Sequence, residues 1–565
     1  MSMQGTAWDN RSEYPGLASA ALEADLALAA SLIANLQEHA LLVAPSVGSA
    51  EISAAVLASA QEATRAFDRA FLAAHNARVF VDCEMAIDGR NLEAKAVSGR
   101  IEKLIASMNE AFKPVEQMLK LTSDDVVARF LAAPDVAAHR FSIGQGRKQR
   151  DFALSLPEES LIIALNVDGQ QSWGKMYDAI ATTIECRVAL PDGPKTMGIA
   201  AAVSLYQSDS EPVRAAAYRA VQTGWLGHEE SVAAVLNALA GWRLELMRKR
   251  SHSRPLHFLD VPLHDARIER STLEAMMRAV DEAKVDARHA LRVQAKLLGK
   301  DKLHPWDLFA PCPVVAPDGG RVSFADAIDI IADAYSAVDP EMGTFVRNMA
   351  ASGAIEARLL PHKRQGGYCT MFVKSRSPRV FMTYNGGMQE LRTLAHELGH
   401  AFHCYAMREL PIREVQYPFT LAETASIFGE TVVNERLFQV AKTPQERLGV
   451  AWMNARTMGA FVLDVPARFA FERSFYERRA QGPVPPEELS RMMDKAWRES
   501  FGDVLAETDP IFWASKLHFS LPGTMFYIFR IPSAICSPLE FTRNVSASAG
   551  SFTKPTVLCS GIPAA

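Results

Sequence analysis

The stretch LRTLAHELGHAFH, residues 391–403, places two histidines four positions apart with a glutamate directly after the first. On a helix such residues project from one face, so His396 and His400 can bind the same metal ion. Glu397 lies beside them and can reach a water at the metal without being a ligand. The surrounding leucines indicate a buried helix, where two imidazoles and a carboxylate are costly unless something pairs with them. The pattern therefore predicts a zinc site with Glu397 as general base.

A third protein ligand must come from another part of the chain. The acids that follow the motif are Glu409, Glu414, Glu423, Glu430 and Glu435. The segment 419–438 is predicted to be a helix that carries Glu423, Glu430 and Asn434 on one face. Packed against the motif helix, it could present Glu423 to the metal, and Glu430 could accept the free N–H of a ligand histidine. The alternative for Glu430 is an ordinary solvated acid.

Two other classes of zinc peptidase fit the sequence less well. The metzincin pattern requires glycine at 403 and histidine at 406, where this chain has His403 and Ala406. Other gluzincins, such as aminopeptidases, place the ligand glutamate about twenty residues after the second histidine. This chain has Phe419 and Thr420 there.

The length and the charge balance of the chain limit its architecture and its partners. The chain has 565 residues, which is more than a single core usually supports, so at least two lobes are expected. Its 60 basic and 65 acidic residues leave a net charge of −5, which favours neither a nucleic acid nor a membrane surface as partner. The sequence makes no prediction of the oligomeric state.

The cysteines and the N-terminal residues favour a cytoplasmic protein. Seven cysteines are scattered without a CxxC pair, which argues against a disulfide framework or a thiolate zinc site. No apolar run approaches the roughly 18 residues of a membrane span. The polar start MSMQGTAWDNRSEYPG lacks the pattern of an export signal.

Most of the chain is predicted to be helical. Clear helices are expected at 17–45, at 271–298 with a capping box from Ser271 and Glu274, and at 486–501. The segments 366–373 and 378–384 predict an antiparallel strand pair just before the motif helix. The turn-rich segment 190–198 is the best candidate boundary. We therefore expect an N-terminal helical region at 1–190 and a catalytic domain at 191–527.

Beyond the motif, longer stretches resemble a known family of zinc peptidases. HELGHAFH and AETASIFGE, together with IEARLLPHKRQGGYCT (355–370), VFMTYNGG (380–387) and DPIFWASKLHF (509–519), are similar to the thimet oligopeptidase and oligoendopeptidase F family. The likeness is closest to the oligoendopeptidase F branch and runs from about residue 115 to 527.

The resemblance implies a fold, an activity and roles for single residues. The family fold is a mostly helical, two-lobed bowl with a deep central channel and the metal at its bottom. By resemblance, one zinc ion per chain is held by His396, His400 and Glu423, and Glu397 is the base. His518 matches a histidine that faces the substrate, and Tyr527 remains from the family's tyrosines that stabilise the oxyanion. The expected substrates are short, unstructured oligopeptides.

The resemblance stops abruptly after Tyr527. Residues 528–565 are rich in Ser, Pro and Thr and show no helical periodicity, so no packed role is expected for them. Inserting one base near codon 528 of a back-translated sequence restores Asn-Phe-Pro-His-Thr-Phe-Gly-Tyr-Leu-Phe-Ser-Leu-Gly-Ile-Tyr-Ala, which is similar to the family. We therefore interpret 528–565 as an aberrant, frameshifted tail. A catalytically impaired, peptide-binding relative is the alternative function, because the tyrosine segment is missing.

Overall fold

The computed structural model describes residues 5–314, 321–360, 362–364 and 366–529, and most of them lie in helices. The helices before the first strand are α1 (Ala20–Val43), α2 (Ala54–Ile87), α3 (Leu92–Leu121), α4 (Asp124–Phe130), α5 (Arg140–Arg147), α6 (Leu156–Asn166) and α7 (Gln170–Thr183). The middle of the chain forms α8 (Ile199–Ser204), α9 (Glu211–Leu226), α10 (Glu229–Arg250), α11 (Asp260–Ala266), α12 (Arg270–Leu297), α13 (Phe324–Ser336) and α14 (Pro340–Ala351). The last helices are α15 (Met388–Ala406), α16 (Phe419–Val440), α17 (Pro444–Gly459), α18 (Val465–Arg479), α19 (Pro486–Phe501) and α20 (Phe512–Ser515).

Helix α1 begins after Ser19, whose hydroxyl accepts a hydrogen bond from the N–H of Leu22, and ends shortly before Pro45. Its inner face packs with α2 and α3 in a hydrophobic cluster that includes Leu22 and Leu26. The stretch Ala20–Ser46 has a mean hydropathy of 1.4 and is the one helix of the described residues long and apolar enough to cross a membrane. The core helix of a soluble protein meets the same criteria of length and composition.

A β-hairpin that was not predicted from the sequence follows α7. Strands β1 (Glu185–Leu190) and β2 (Gly193–Gly198) pair antiparallel, with Leu190 opposite Gly193. The predicted domain boundary at 190 lies in the turn of this hairpin, because Pro, Asp and Gly mark hairpin turns as well as linkers. Val188 on β1 and Trp225 on α9 share one hydrophobic cluster, so residues on both sides of 190 contribute to one core. The two-domain division stays a prediction.

The strand pair predicted beside the motif helix is confirmed. Strands β4 (Tyr368–Met371) and β5 (Pro378–Phe381) pair antiparallel, and the short strand β3 (Ile355–Glu356) adds to β5 in parallel. The strand order is β3-β5-β4, which leaves β4 at an edge of the sheet among the described residues. The fold is therefore mostly helical with a small β element next to α15, as the sequence predicted.

The motif helix α15 rests on its own hydrophobic cluster. Leu391, Leu394 and Leu398 are completely buried there against residues of α13, α14 and α16. The hydroxyl of Tyr335 on α13 donates a hydrogen bond to the carbonyl of Ala395 at 2.7 Å. These contacts fix the helix that carries the histidines.

Two sequence predictions about local structure are wrong. Helix α12 begins at Arg270 with Glu269 as its N-cap, so Ser271 lies inside the first turn and does not form the predicted capping box with Glu274. The predicted tail also begins inside the core, since Ile528 and Phe529 are buried in the largest hydrophobic cluster. Apolar contact with α18 explains this, because the Phe529 ring lies 6.2 Å from that of Phe469. The rest of the tail, 530–565, lies outside the described residues.

Candidate active site

The site is built where α15 and α16 cross at very short range. A Cβ atom at Gly399 would lie 2.6 Å from the carbonyl oxygen of Ala425 and 2.9 Å from the Cα of Ser426. Only glycine allows this approach, because any side chain would push the two backbones apart. The close crossing places Glu423 and Glu430 of α16 opposite the two histidines of α15.

His396, His400 and Glu423 form the one group among the described residues that could hold a metal ion, with ligand atoms within 4.8 Å of one another. Oε2 of Glu423 lies 3.4 Å from Nε2 of His396 and 3.8 Å from Nε2 of His400. Ligands bound to a tetrahedral zinc ion at ordinary distances are about 3.3–3.6 Å apart. Two imidazoles and one carboxylate are also a donor set that catalytic zinc sites use, so these residues fit the metal that the sequence predicts.

His400 is suited to bind a metal because it stays neutral. Burial and the neighbouring charge of His396 lower its pKa to about 3. The rings of His396 and His400 meet edge to face with their centroids 4.8 Å apart. A neutral imidazole keeps the lone pair that coordination needs.

Glu430 contacts the His396 ring at Nδ1, on the side away from the Nε2 atom that faces Glu423. Its Oε1 lies 2.7 Å from Nδ1 of His396, and its Oε2 accepts a hydrogen bond from the Arg392 guanidinium at 2.9 Å. Burial alone would raise the pKa of Glu430, but the hydrogen bond from His396 and the charges of His396 and Arg392 hold it below its ordinary value. The carboxylate therefore orients the imidazole with Nε2 toward Glu423.

Glu397 is buried without a polar partner for one of its oxygens. The residue is 5% exposed, and Oε2 has no hydrogen-bond partner among the described residues. Burial and the charges of Glu423 and Glu430 outweigh the attraction of His396 and raise the pKa of Glu397 to about 7. A Cβ atom added to Gly367 would lie 3.0 Å from its Oε1, so the chain entering β4 runs directly past this carboxylate.

The two remaining predicted site residues lie together at the start of α16. The rings of His518 and Tyr527 are 5.2 Å apart, and Tyr527 also contacts Phe419 at 4.6 Å. Phe419 is the first residue of α16, one turn before Glu423. The Nδ1 atom of His518 is buried without a hydrogen-bond partner among the described residues. The roles of His518 and Tyr527 in catalysis stay predictions.

Two supporting residues were missed from the sequence. Arg392 bridges Glu430 to Thr457 on α17. Its position four residues before His396, on the same face of α15, could have indicated that it supports the site. Ser426 donates a hydrogen bond to Oε2 of Glu423 at 2.9 Å. Its place three residues after Glu423, on the same face of the helix, could have indicated this contact.

Comparison with known proteins gives two family matches. The family model described as "Peptidase family M3" matches residues 355–529, which include the whole candidate metal site, and a model described as "Oligopeptidase F" matches residues 118–185. Over these two stretches the chain is therefore similar to peptidase family M3 and to oligopeptidase F.

The relatives narrow the assignment. The chain is 20% identical to Oligopeptidase PepF of Bacillus subtilis (strain 168) across 72% of this chain and 60% of the relative. It is 24% identical to an Oligoendopeptidase F homolog of Lactococcus lactis subsp. lactis (strain IL1403) across 60% of this chain and 56% of the relative. The oligoendopeptidase-F structure from Enterococcus faecium has the same fold, with a TM-score of 0.67 and 17% identity over 93% of this chain and 87% of that one. These matches confirm the resemblance to the oligoendopeptidase F branch. The alignments span less than two thirds of the length of these curated relatives.

Proposed function

We propose that this protein is a zinc-dependent endopeptidase that hydrolyses short, unstructured oligopeptides. The observation that carries the proposal is the convergence of His396, His400 and Glu423, with the buried carboxylate of Glu397 beside them. The names of the relatives support a peptide as substrate.

The chain's own residues divide the work between binding and proton transfer. His396, His400 and Glu423 would hold one zinc ion, with Glu430 fixing the orientation of His396. Zinc in such a site polarises a carbonyl group and lowers the pKa of water to about 7. Glu397 accepts the proton of the attacking water and can deliver it to the leaving amine. His518 and Tyr527 are proposed to donate hydrogen bonds to the substrate and the developing oxyanion.

The geometry of β4 supports an extended substrate. β4 is an edge strand among the described residues, and the chain that enters it passes Glu397 at Gly367. A peptide that pairs with such an edge is held by main-chain hydrogen bonds, so it must have a free backbone. We expect substrates of roughly 6–20 residues for this reason. Folded proteins would not be cleaved.

The alternative function, a peptide-binding protein with impaired catalysis, is separated from this proposal by one assay. The full chain is incubated with a quenched fluorescent peptide of about eight residues, chosen for the edge-strand mode. We expect hydrolysis that a chelator abolishes and added zinc restores, and no cleavage of a folded globular protein. Peptide binding without turnover would favour the alternative, and turnover that resists chelation would contradict the zinc proposal. A cytoplasmic location stays a prediction.

A further inference from the structure

A cavity of about 410 Å³ adjoins the candidate metal site through Glu430. Arg392 and Glu430 form one wall, so the cavity begins at the carboxylate that orients His396. Most of the other wall residues come from α12, α17, α18, α19, the segments 305–309 and 460–464, and the residues around α20. None of the metal-ligand side chains lines it, so it is a neighbouring space rather than the metal site itself.

Cations outnumber carboxylates around this cavity. Its walls carry four cationic side chains and two carboxylates, namely Arg392, Arg456, Arg468, Lys516, Glu430 and Asp464. Arg392 pairs with Glu430, and Arg468 pairs with Asp464. Two positive charges therefore remain without an ion pair to a carboxylate of the described residues.

Arg456 and Lys516 are those two charges. Within the described part of the chain, the Arg456 guanidinium has one hydrogen-bond contact, with the sulfur of Met453 at 4.0 Å. Lys516 lies over the ring of Phe512 at 4.1 Å. Burial and the charge of Arg468 lower the pKa of Lys516 to about 8. Both side chains are partly buried, so holding them there without an ion pair is costly, and a bound anion would relieve this cost.

Two further donors in the cavity walls also lack acceptors. Nε of Arg392 and Nε1 of Trp497 are buried without a hydrogen-bond partner among the described residues. Both residues line the cavity. Buried donors of this kind normally have an acceptor, so their presence next to unpaired cations points to an anionic ligand.

The size and lining of the cavity favour an anion attached to a larger molecule. A volume of about 410 Å³ far exceeds the roughly 30 Å³ of a single water, and apolar side chains such as Leu291 and Phe461 form part of the walls. Gln389 and Ala460, which also line it, are exposed and provide an opening to solvent. An amino-acid side chain or a chain terminus fits such a space better than an isolated ion does.

We propose that this cavity is a subsite for a carboxylate of the peptide substrate, with Arg456 and Lys516 as its charged partners. The inference rests on the proposed peptidase function and adds a preference for acidic peptides to it. The carboxylate can belong to an aspartate or glutamate side chain or to the C-terminus, since both present the same group to a guanidinium.

Binding to the full-length, zinc-loaded Glu397→Gln variant tests this proposal without cleavage. Fluorescence anisotropy gives dissociation constants for a set of peptides in which one glutamate replaces glutamine at successive positions. A further pair of peptides, identical except at the end, compares a free C-terminal carboxylate with a C-terminal amide. All measurements use the same ionic strength. We expect one position, or the free terminus, to bind about tenfold more tightly than its neutral counterpart, as charge-assisted hydrogen bonds allow.

Second-site variants show whether the cavity causes the preference. Arg456→Gln and Lys516→Met should each reduce the ratio of neutral to acidic dissociation constants to below about twofold, since each removes one charged partner. Arg447→Gln, an exposed position on α17, should keep the full ratio and serves as the matched control. Thermal unfolding of each variant verifies that the protein is folded. If either Arg456→Gln or Lys516→Met does not fold, the other cavity variant still decides the test.

Three results would overturn the inference. These are no preference for any carboxylate, a preference that both cavity variants retain, and no peptide binding at all. Chloride that raises the melting temperature of the unsubstituted chain but not of Arg456→Gln, without a carboxylate preference, would show a site for a free anion and would also overturn it. Failure of the proposed peptidase function is distinguishable, because it would appear as peptide binding without cleavage by the unsubstituted chain.

Discussion

Nδ1 of His396 lies 2.7 Å from Oε1 of Glu430, two turns along α16 from the carboxylate of Glu423. One helix therefore presents both the acid that faces the two Nε2 atoms and the acid that orients one of the histidines. Arg392 holds the second oxygen of Glu430 at 2.9 Å, so the orientation of His396 depends on a chain of three side chains.

Replacing Glu430 should weaken metal binding without removing a ligand. In Glu430→Gln the imidazole of His396 loses its charged partner, and we expect the dissociation constant for zinc to rise about 10–100-fold. Competition with a chromophoric chelator measures this constant. Glu435→Gln, an exposed acid on the same helix, is the control and should bind zinc as the unsubstituted chain does. Equal affinities in the two variants would show that Glu430 is only a structural acid.

Replacing Glu423 should have a larger effect, because its carboxylate is the proposed third ligand. Glu423→Gln removes the charge and should lose most of the bound zinc, whereas Glu423→Asp keeps a carboxylate and should lose less. Metal analysis of the purified variants gives the zinc content per chain. Full occupancy in the Gln variant would assign the third ligand to another acid, such as Glu430 or Glu414.

A methyl group at Gly399 should separate the two site helices. Gly399→Ala places a Cβ atom 2.6 Å from the carbonyl oxygen of Ala425, and such overpacking typically lowers the free energy of unfolding by about 1–3 kcal/mol. Thermal unfolding measures the loss, and the chelator competition should show weaker zinc binding as well. Gly144→Ala on α5 is the control, because its Cβ atom meets nothing within 4 Å. A melting temperature unchanged in Gly399→Ala would contradict the account of the crossing.

The local patterns of the sequence predicted the elements around the site well. The i and i+4 histidines, the shared face of Glu423 and Glu430, and the β-rich segments before the motif each depend on neighbours in sequence. The structure has α15, α16, β4 and β5 where these patterns indicate them. The position of Glu430 beside His396 also agrees with the interpretation of its helix face.

Contacts between distant segments could not be predicted in this way. The charged side chains of the carboxylate subsite come from α15, α16, α17, the start of α18 and the residues after α20. They are too far apart in the sequence for a spacing pattern to show that they share one cavity. The role of Arg392 depends on an acid 38 residues away. The hairpin β1–β2 was missed for another reason, since its turn residues also fit a linker. The burial of Ile528 and Phe529 was missed because the composition of the following residues dominated the interpretation of the tail.

The central claim, that Glu397 activates the attacking water at a zinc site, is tested most directly by the turnover and zinc content of Glu397→Gln. General acid–base catalysis contributes about 10²–10⁴ in rate, and the substitution leaves the three proposed ligands in place. We therefore predict that kcat/KM for the fluorescent peptide falls by at least about 10²-fold while zinc stays at one ion per chain. Turnover close to that of the unsubstituted chain, with zinc still bound, would contradict the account.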